Sequence, residues 1–289
     1  VTGRGEPGGT AAGRAVSAAS AALPAALRAT LGRQGPVCVS LSGGVDSSVV
    51  LAAAVAVFGP GQVAALTADS PTFIAGELAA ARRLCADLGV QHLVVQTAEL
   101  DDERFVANPP DRCYHCKAGL LGLLLAAADE LGCVALFDGV NADDPADHRP
   151  GLRAADERGV RHPLLEAGLG KQAVRTLARE LGLAAWDRPA DACLASRIPY
   201  GERITAEKLR AVAAAEAALH RLGFAECRVR HHGALARVEL PVGELPRATG
   251  EVRLQLIAAV AAAGFTYVAL DLQGFRSGSL NEVLDRDAL

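Results

Sequence analysis

Several features are missing from this 289-residue chain, and each absence narrows what it does. No uninterrupted apolar run approaches the roughly 20 residues of a membrane-spanning helix. The first residues show neither the basic cap nor the apolar core of a signal peptide. A cytoplasmic protein with no membrane partner is the expectation. There is no surplus of positive charge either: 29 Lys and Arg stand against 33 Asp and Glu, for a net charge of −4. A nucleic-acid partner, which needs a basic surface, is therefore not expected. The seven cysteines are an odd number in a chain without a secretory signal, which argues against a disulfide framework. No internal repeat is visible.

What is present suits a sizeable, helix-rich core, since 51% of the residues are hydrophobic and alanine dominates them. Residues 1–15 are Gly-rich and aperiodic, the composition of a disordered end. A helix is predicted over Ala18–Leu31, then short apolar strands alternate with helices. The strands are "PVCVSL", "QVAALTAD", "HLVVQT" and "CVALFDG"; helices are expected from Asp46, over Ala75–Leu88, after the pair Cys113/Cys116, and over Lys171–Leu181. That alternation predicts an α/β fold, a parallel sheet with helices on both faces. "GVRHPLLEAGLG" reads as a loop. After Tyr200-Gly201 the order changes: a helix capped by Thr205, two antiparallel strands around Gly233, another helix and the strand "YVALDL". The expected division is a disordered 1–15, an α/β domain over 16–197 and a smaller α+β domain over 198–289.

The strongest local signal is "SLSGGVDSS", Ser40–Ser48, between a strand and a helix. Gly43 and Gly44 let the backbone approach an anion. Ser42, Ser47 and Ser48 add hydroxyls, and the helix N-terminus adds free N–H groups and a positive dipole. The spacing S-G-G-x-D-S is not that of the G-x-x-x-x-G-K-[ST] phosphate loop. It resembles the PP-loop of the ATP pyrophosphatases; the bland alternative is a serine-rich turn with a helix cap. The resemblance implies ATP cleaved between the α- and β-phosphates, with Asp46 helping to hold Mg²⁺, and Asp69 and Ser70 beside the adenosine. The carboxylates Asp138, Asp143 and Asp144 are either part of that site or a solvated loop.

Four cysteines read as inert packed thiols: Cys38, Cys85, Cys133 and Cys227. Three others lie in distinctive segments, Cys113 and Cys116 in "DRCYHCK" and Cys193 in "DACLASRIPYG". The segments "NPPDRCYHCK", "DHRPGLRAADERGV", "ACLASRIPYG", "CRVRHH", "ARVELP" and "LDLQGFRSG" occur in this order in the LarE family, which the chain resembles from about residue 20 to its end. That family comprises ATP-dependent sulfur transferases that build a nickel-pincer nucleotide cofactor. The resemblance implies a pyridinium dicarboxylate mononucleotide as substrate, adenylated on a carboxylate and then thiolated. It further implies that Cys113, Cys116 and Cys193 ligate three irons of a [4Fe–4S] cluster whose open fourth iron delivers sulfide. Alternatives are a sacrificial Cys193, a zinc site including His115, and a Cys113–Cys116 redox disulfide.

Arg228 and Arg230 alternate on a strand and so share a face, a pairing suited to phosphate; the resemblance places the substrate's phosphate there. Arg197 and Ser196 are candidates for holding carboxylate or pyrophosphate, and Lys117 for offsetting adenylate or cluster charge. Glu216 and Glu239 match family positions near the substrate and are candidate divalent-metal ligands. Asp271, Arg276 and Ser277 form a further anion-facing loop, and Trp186 and Tyr200 read as packing. Other functional readings are a cluster-dependent tRNA thiolase, a non-catalytic ATP-responsive binding protein and an ammonia-using amidotransferase partner. A homo-oligomer is expected from the family; the sulfide source is not legible.

Overall fold

The computed structural model describes residues 23–33, 35–73, 76–144, 150–187, 192–276 and 278–284. The expected disordered end and the first part of the expected Ala18–Leu31 helix lie outside them, as does Ser277. The chain divides into two compact units interleaved along the sequence. The first holds Val1–Asp69, Gly76–Thr97 and Tyr114–Ala190; the second holds Ser70–Ala75, Ala98–Cys113 and Asp191–Leu289.

The first unit is built on a parallel sheet of β1 (Val37–Ser40), β2 (Val63–Asp69), β3 (Gln91–Gln96) and β4 (Ala135–Phe137), in the order β3-β2-β1-β4. Its helices are α1 (Ala25–Leu31), α2 (Val45–Phe58), α3 (Glu77–Leu88), the long α5 (Arg112–Glu130), α6 (Pro150–Asp156), α7 (Pro163–Glu166) and α8 (Lys171–Glu180). Alternation along β1 sorts its side chains to opposite faces. Val37 and Val39 join the buried cluster of Val49, Ala53, Ala81, Val174 and Leu177 from α2, α3 and α8. Cys38 joins Leu66, Leu121, Leu124, Leu136 and Ala155 on the other face, under α5 and α6. Helices therefore cover both faces, as a parallel sheet requires. Six of the seven β2 residues are buried, whereas β3, at the edge, alternates with solvent.

Three local expectations are corrected. The helix placed after the cysteine pair begins at Arg112, so Cys113 and Cys116 lie in the first turns of α5. The expected loop "GVRHPLLEAGLG" contains α7, opened by Pro163 at a first helical position where its missing N–H costs nothing. Trp186, read as packing, is 41% exposed. Cys38, Cys85 and Cys227 are buried, and burial pushes the Cys85 thiol up to about 12, as an inert thiol requires. Cys133 is half-buried, with its Sγ 2.7 Å from that of Cys38.

The second unit includes α4 (Glu103–Val106) and a three-stranded sheet with the order β5 (Arg228–His232), β6 (Leu235–Glu239), β7 (Tyr267–Leu270). β5 and β6 form the expected hairpin, with Gly233 at φ 63° in its turn, and β7 pairs parallel to β6. Helices α9 (Ala206–Arg221), α10 (Leu245–Thr249) and α11 (Arg253–Ala262) accompany them. Thr205 caps α9, its hydroxyl accepting from the Lys208 N–H at 3.3 Å.

Candidate functional site

In the first unit, β1 lies between β2 and β4, so the connections leaving its carboxyl end diverge. In open α/β sheets ligands bind in the crevice at such a switch point. The Ser40–Ser48 loop occupies that place. Ser40 ends β1, Gly44 precedes α2, and no side chain caps the helix. Its first N–H groups thus face the loop, available to an anion. The serines set the loop's shape: the Ser47 hydroxyl accepts from Ser42 N–H at 3.2 Å, and that of Ser48 donates to Gly44 O at 2.7 Å. Gly43 has φ +82°, and a Cβ there would stand 2.5 Å from the Glu77 carbonyl oxygen, so only glycine fits. Asp69 closes β2, and its carboxylate accepts from Gln96 Nε2 at 2.8 Å. Ser70, grouped with the second unit, donates to Glu99 and shares a 2.7 Å hydrogen bond with Thr72.

The residues after β4 complete the crevice. Gly139 packs against the start of α2: a Cβ on it would lie 2.6 Å from Ser47 N. Asp46 is ion-paired with Lys171, the first residue of α8, and accepts from Asn141 Nδ2 at 3.4 Å. Lys171, Asn141 and Gly139 escaped the sequence reading because only the fold brings positions so far apart along the chain to the loop; "FDG" closing a strand was the one available hint. The acidic cluster resolves into three structural roles. Asp143 accepts from the N–H of Lys171 at 2.7 Å at the start of α8, and Asp144 accepts from Asn141 N–H at 2.9 Å. Asp138 is buried, 2.6 Å from His162 Nδ1 and 3.7 Å from Lys117 Nζ.

Burial alone would push Asp138 up and His162 down. The hydrogen bond between them and the charges of Lys117 and Asp156 outweigh it, holding Asp138 below its ordinary range and His162 above its own. The stabilisation from protonated His162 is therefore complete below its ordinary value of 6.5 and is lost as pH rises through the raised value. That from ionised Asp138 is present above 3.8 and is lost as pH falls through the lowered value. The melting temperature of the wild type should exceed that of His162→Gln by a wider margin at pH 5.5 than at pH 9. A margin independent of pH would show that the imidazole is neutral throughout.

In the second unit, Cys193 precedes a short 3₁₀ turn, Leu194–Arg197. Cys113 and Cys193 are close enough for their charges to interact, and Cys113, though open to solvent, is ringed by protein atoms. That desolvation, and then Cys193, raise its thiol above the ordinary value, against the pull of Arg112. Cys116 follows one turn along α5, and side chains three residues apart share a helix face. Among the described residues no three His, Cys, Asp or Glu side chains converge as ligands of one metal ion.

Five predicted residues are brought together next to Cys193. Arg197, fully enclosed, makes a bidentate pair with Glu216, Nε to Oε1 at 2.8 Å and Nη2 to Oε2 at 2.9 Å. Its Nη1 donates to Ala192 O at 2.7 Å and to Ser196 Oγ at 3.0 Å. Arg230 makes the same fork with Glu239, at 3.0 and 2.9 Å, and donates to Ser196 O and Ser279 Oγ at 2.7 Å each. Arg228 lies over the Phe275 ring, 4.9 Å from its centroid. Asp271 is 3.4 Å from Arg237 and 3.8 Å from Arg276, and Arg276 also forks onto Glu282. Tyr200 donates to Asn281 Oδ1 at 2.9 Å.

A parallel sheet whose first strand enters a Gly-Ser loop at an uncapped helix N-terminus, at the topological switch point, defines an ATP-using enzyme of the PP-loop class. Known proteins agree. The asparagine synthase family pattern matches residues 18–120. A pyridinium-3,5-bisthiocarboxylic acid mononucleotide synthase from Lactiplantibacillus plantarum is 40% identical over 88% of this chain and 91% of its own. An uncharacterised protein from Synechocystis sp. is 44% identical over 90% of this chain and 97% of its own. The chain belongs to the LarE family of ATP-using sulfurtransferases.

Proposed function

We propose that this chain inserts sulfur into the carboxylates of a pyridinium-3,5-dicarboxylate mononucleotide, by way of an acyl-adenylate, in nickel-pincer cofactor biosynthesis. The observation that carries this reading is Cys193 at the head of the turn that the Arg197–Glu216 and Arg230–Glu239 pairs hold in place, in a chain that also holds the PP-loop. The first unit carries the ATP loop, and the second carries Cys113, Cys193 and the substrate residues, in a cytoplasmic homo-oligomer that acts on a small nucleotide and no nucleic acid.

The loop N–H groups, Ser42, Ser47 and Ser48 hold the ATP phosphates, with Asp69 and Ser70 at the adenosine. Lys171, beside Asp46, offers its ammonium to the phosphates, and Asp46 would hold Mg²⁺. Attack by the substrate carboxylate oxygen on the α-phosphorus breaks the α–β bond and releases pyrophosphate. Arg228 takes the substrate's phosphate, while Arg230, Glu216 and Glu239, expected as direct ligands, are spent on the buried pairs Arg230–Glu239 and Arg197–Glu216, which with Ser196 hold the turn that positions Cys193. Lys117 offsets negative charge next to Asp138. Cys113, Cys116 and Cys193 would hold a [4Fe–4S] cluster, which would supply sulfide to displace AMP from the acyl-adenylate and leave the thiocarboxylate.

Iron and acid-labile sulfide on anaerobically purified protein test this first: about four of each per chain are expected. A colourless protein, inactive after reconstitution, would instead make Cys193 the sacrificial donor. Cys113→Ala should end repeated turnover while ATP binding persists; continued multiple turnover in that variant would remove the cluster from the scheme. Asp46→Ala should lower substrate-dependent pyrophosphate release roughly 100-fold with iron content unchanged.

A further inference from the structure

Arg112 opens α5 and is 2% exposed. Two of its nitrogens, Nε and Nη1, are enclosed without a hydrogen-bond acceptor, and among the described residues no carboxylate pairs with it. The guanidinium carbon stands 4.6 Å from the centre of the Tyr200 ring. A cation–π contact recovers only part of the solvation that an enclosed ion gives up. Tyr200 donates its hydroxyl to Asn281 and its oxygen can still accept from Arg112, but Nε and Nη1 remain without an acceptor.

The same unit shows what a satisfied buried guanidinium looks like. Arg197 and Arg230, 0% and 6% exposed, each fork onto a glutamate and have every nitrogen engaged. Arg112 has neither a carboxylate nor a carbonyl for its two orphan nitrogens. Its neighbours are also particular: Cys113 is the next residue and open to solvent, and Cys193 is close enough to Cys113 for their charges to interact. A desolvated, unpaired cation therefore borders two thiols that solvent reaches.

We infer that Arg112 is the anion-binding residue of the thiol pocket, taking a carboxylate oxygen of the molecule that receives sulfur and so docking that carboxylate beside Cys113 and Cys193. The choice of carboxylate over phosphate rests on the proposed function, in which the group delivered to these thiols is a carboxylate. The missing acceptor is then supplied by substrate, which explains why the fold leaves a buried charge without a partner. Binding is strengthened by the same desolvation that makes the empty arrangement costly.

The test uses the iron-free full-length chain and two alkylating reagents, iodoacetate and iodoacetamide. The same thiolate attacks the methylene carbon of both and expels iodide, so their rate ratio cancels thiol acidity and access and isolates the effect of the carboxylate. At Cys113, followed by peptide mass spectrometry, the iodoacetate-to-iodoacetamide ratio should exceed that of free cysteine in buffer by about tenfold. Arg112→Gln should abolish the excess and Arg112→Lys should restore part of it. Pyridine-3,5-dicarboxylate should protect Cys113 from iodoacetamide, and pyridine-3,5-dicarboxamide should not. A wild-type ratio equal to that of free cysteine overturns the inference whether or not the variants fold, and protection by inorganic phosphate equal to that by the dicarboxylate overturns the assignment to carboxylate. Loss of ATP-dependent thiolation with the ratio intact would overturn the proposed reaction and leave Arg112 as an anion site.

Discussion

Gly139→Ala is expected to abolish ATP-dependent pyrophosphate release and to destabilise the first unit by about 3 kcal/mol, the upper end of the range for overpacking. The φ of Gly139 is not in the left-handed region, so the demand is for space. A Cβ would stand 2.6 Å from Ser47 N and 3.0 Å from both Asp46 C and Ser47 Cα. All three are backbone atoms of the first turn of α2, and that turn also carries Asp46 and the uncapped N–H groups of the helix start. No flexible side chain is there to yield. The methyl must push the turn away from β4, displacing the loop and the helix that hold ATP. Gly44→Ala is the control, since its added Cβ would meet nothing nearer than Ser42 Oγ at 3.4 Å and its backbone is extended. Urea denaturation should show Gly44→Ala close to wild type and Gly139→Ala well below it. Equal stability of the two variants would mean that β4 and α2 part without cost.

Arg197→Ala should be the most destabilising change in the second unit, by about 3–5 kcal/mol, because it strands a buried carboxylate. Glu216 is 5% exposed and relies on Arg197 for both oxygens, with Val229 N–H adding a 2.9 Å hydrogen bond to Oε1. The guanidinium also gathers the Ala192 carbonyl and the Ser196 hydroxyl, so its loss frees the turn that follows Cys193. Thiolation should fall with stability, even though Arg197 reaches no solvent and touches the site only through that turn. The double variant Arg197→Met/Glu216→Gln removes both charges, keeps an acceptor for Val229 and should recover most of the loss, since replacing a buried pair is far cheaper than breaking one. If Arg197→Ala melted like the wild type in urea, the pair would not be a clamp.

How much of this was legible beforehand follows from the range of the forces involved. The strands, most helices, the Thr205 cap and the Gly233 hairpin rest on periodicity and turn chemistry within a few residues, and the sequence carries these directly. The PP-loop was legible for the same reason, because its glycines, serines and helix start are contiguous. The first turns of α5 were misplaced because Asn108-Pro109-Pro110 reads as a breaker; the helix starts immediately after it and takes in both cysteines.

Partnership is a different matter. That Arg197 and Arg230 satisfy glutamates, while Arg112, an equally ordinary arginine in "DRCYHCK", meets none, depends on which atoms fill the space around each side chain. The acidic run Asp138, Asp143 and Asp144 reads as one cluster, yet the fold sends its members to a histidine, a helix start and a turn. The need for glycine at 139 arises only when β4 is laid against α2. The sequence by itself determined the fold class, the nucleotide loop and the family, since each is written in neighbouring residues. Only the tertiary structure decided which charges are spent on one another and which one waits for a ligand, because hydrogen bonding and desolvation act over a few ångströms between residues far apart in the chain.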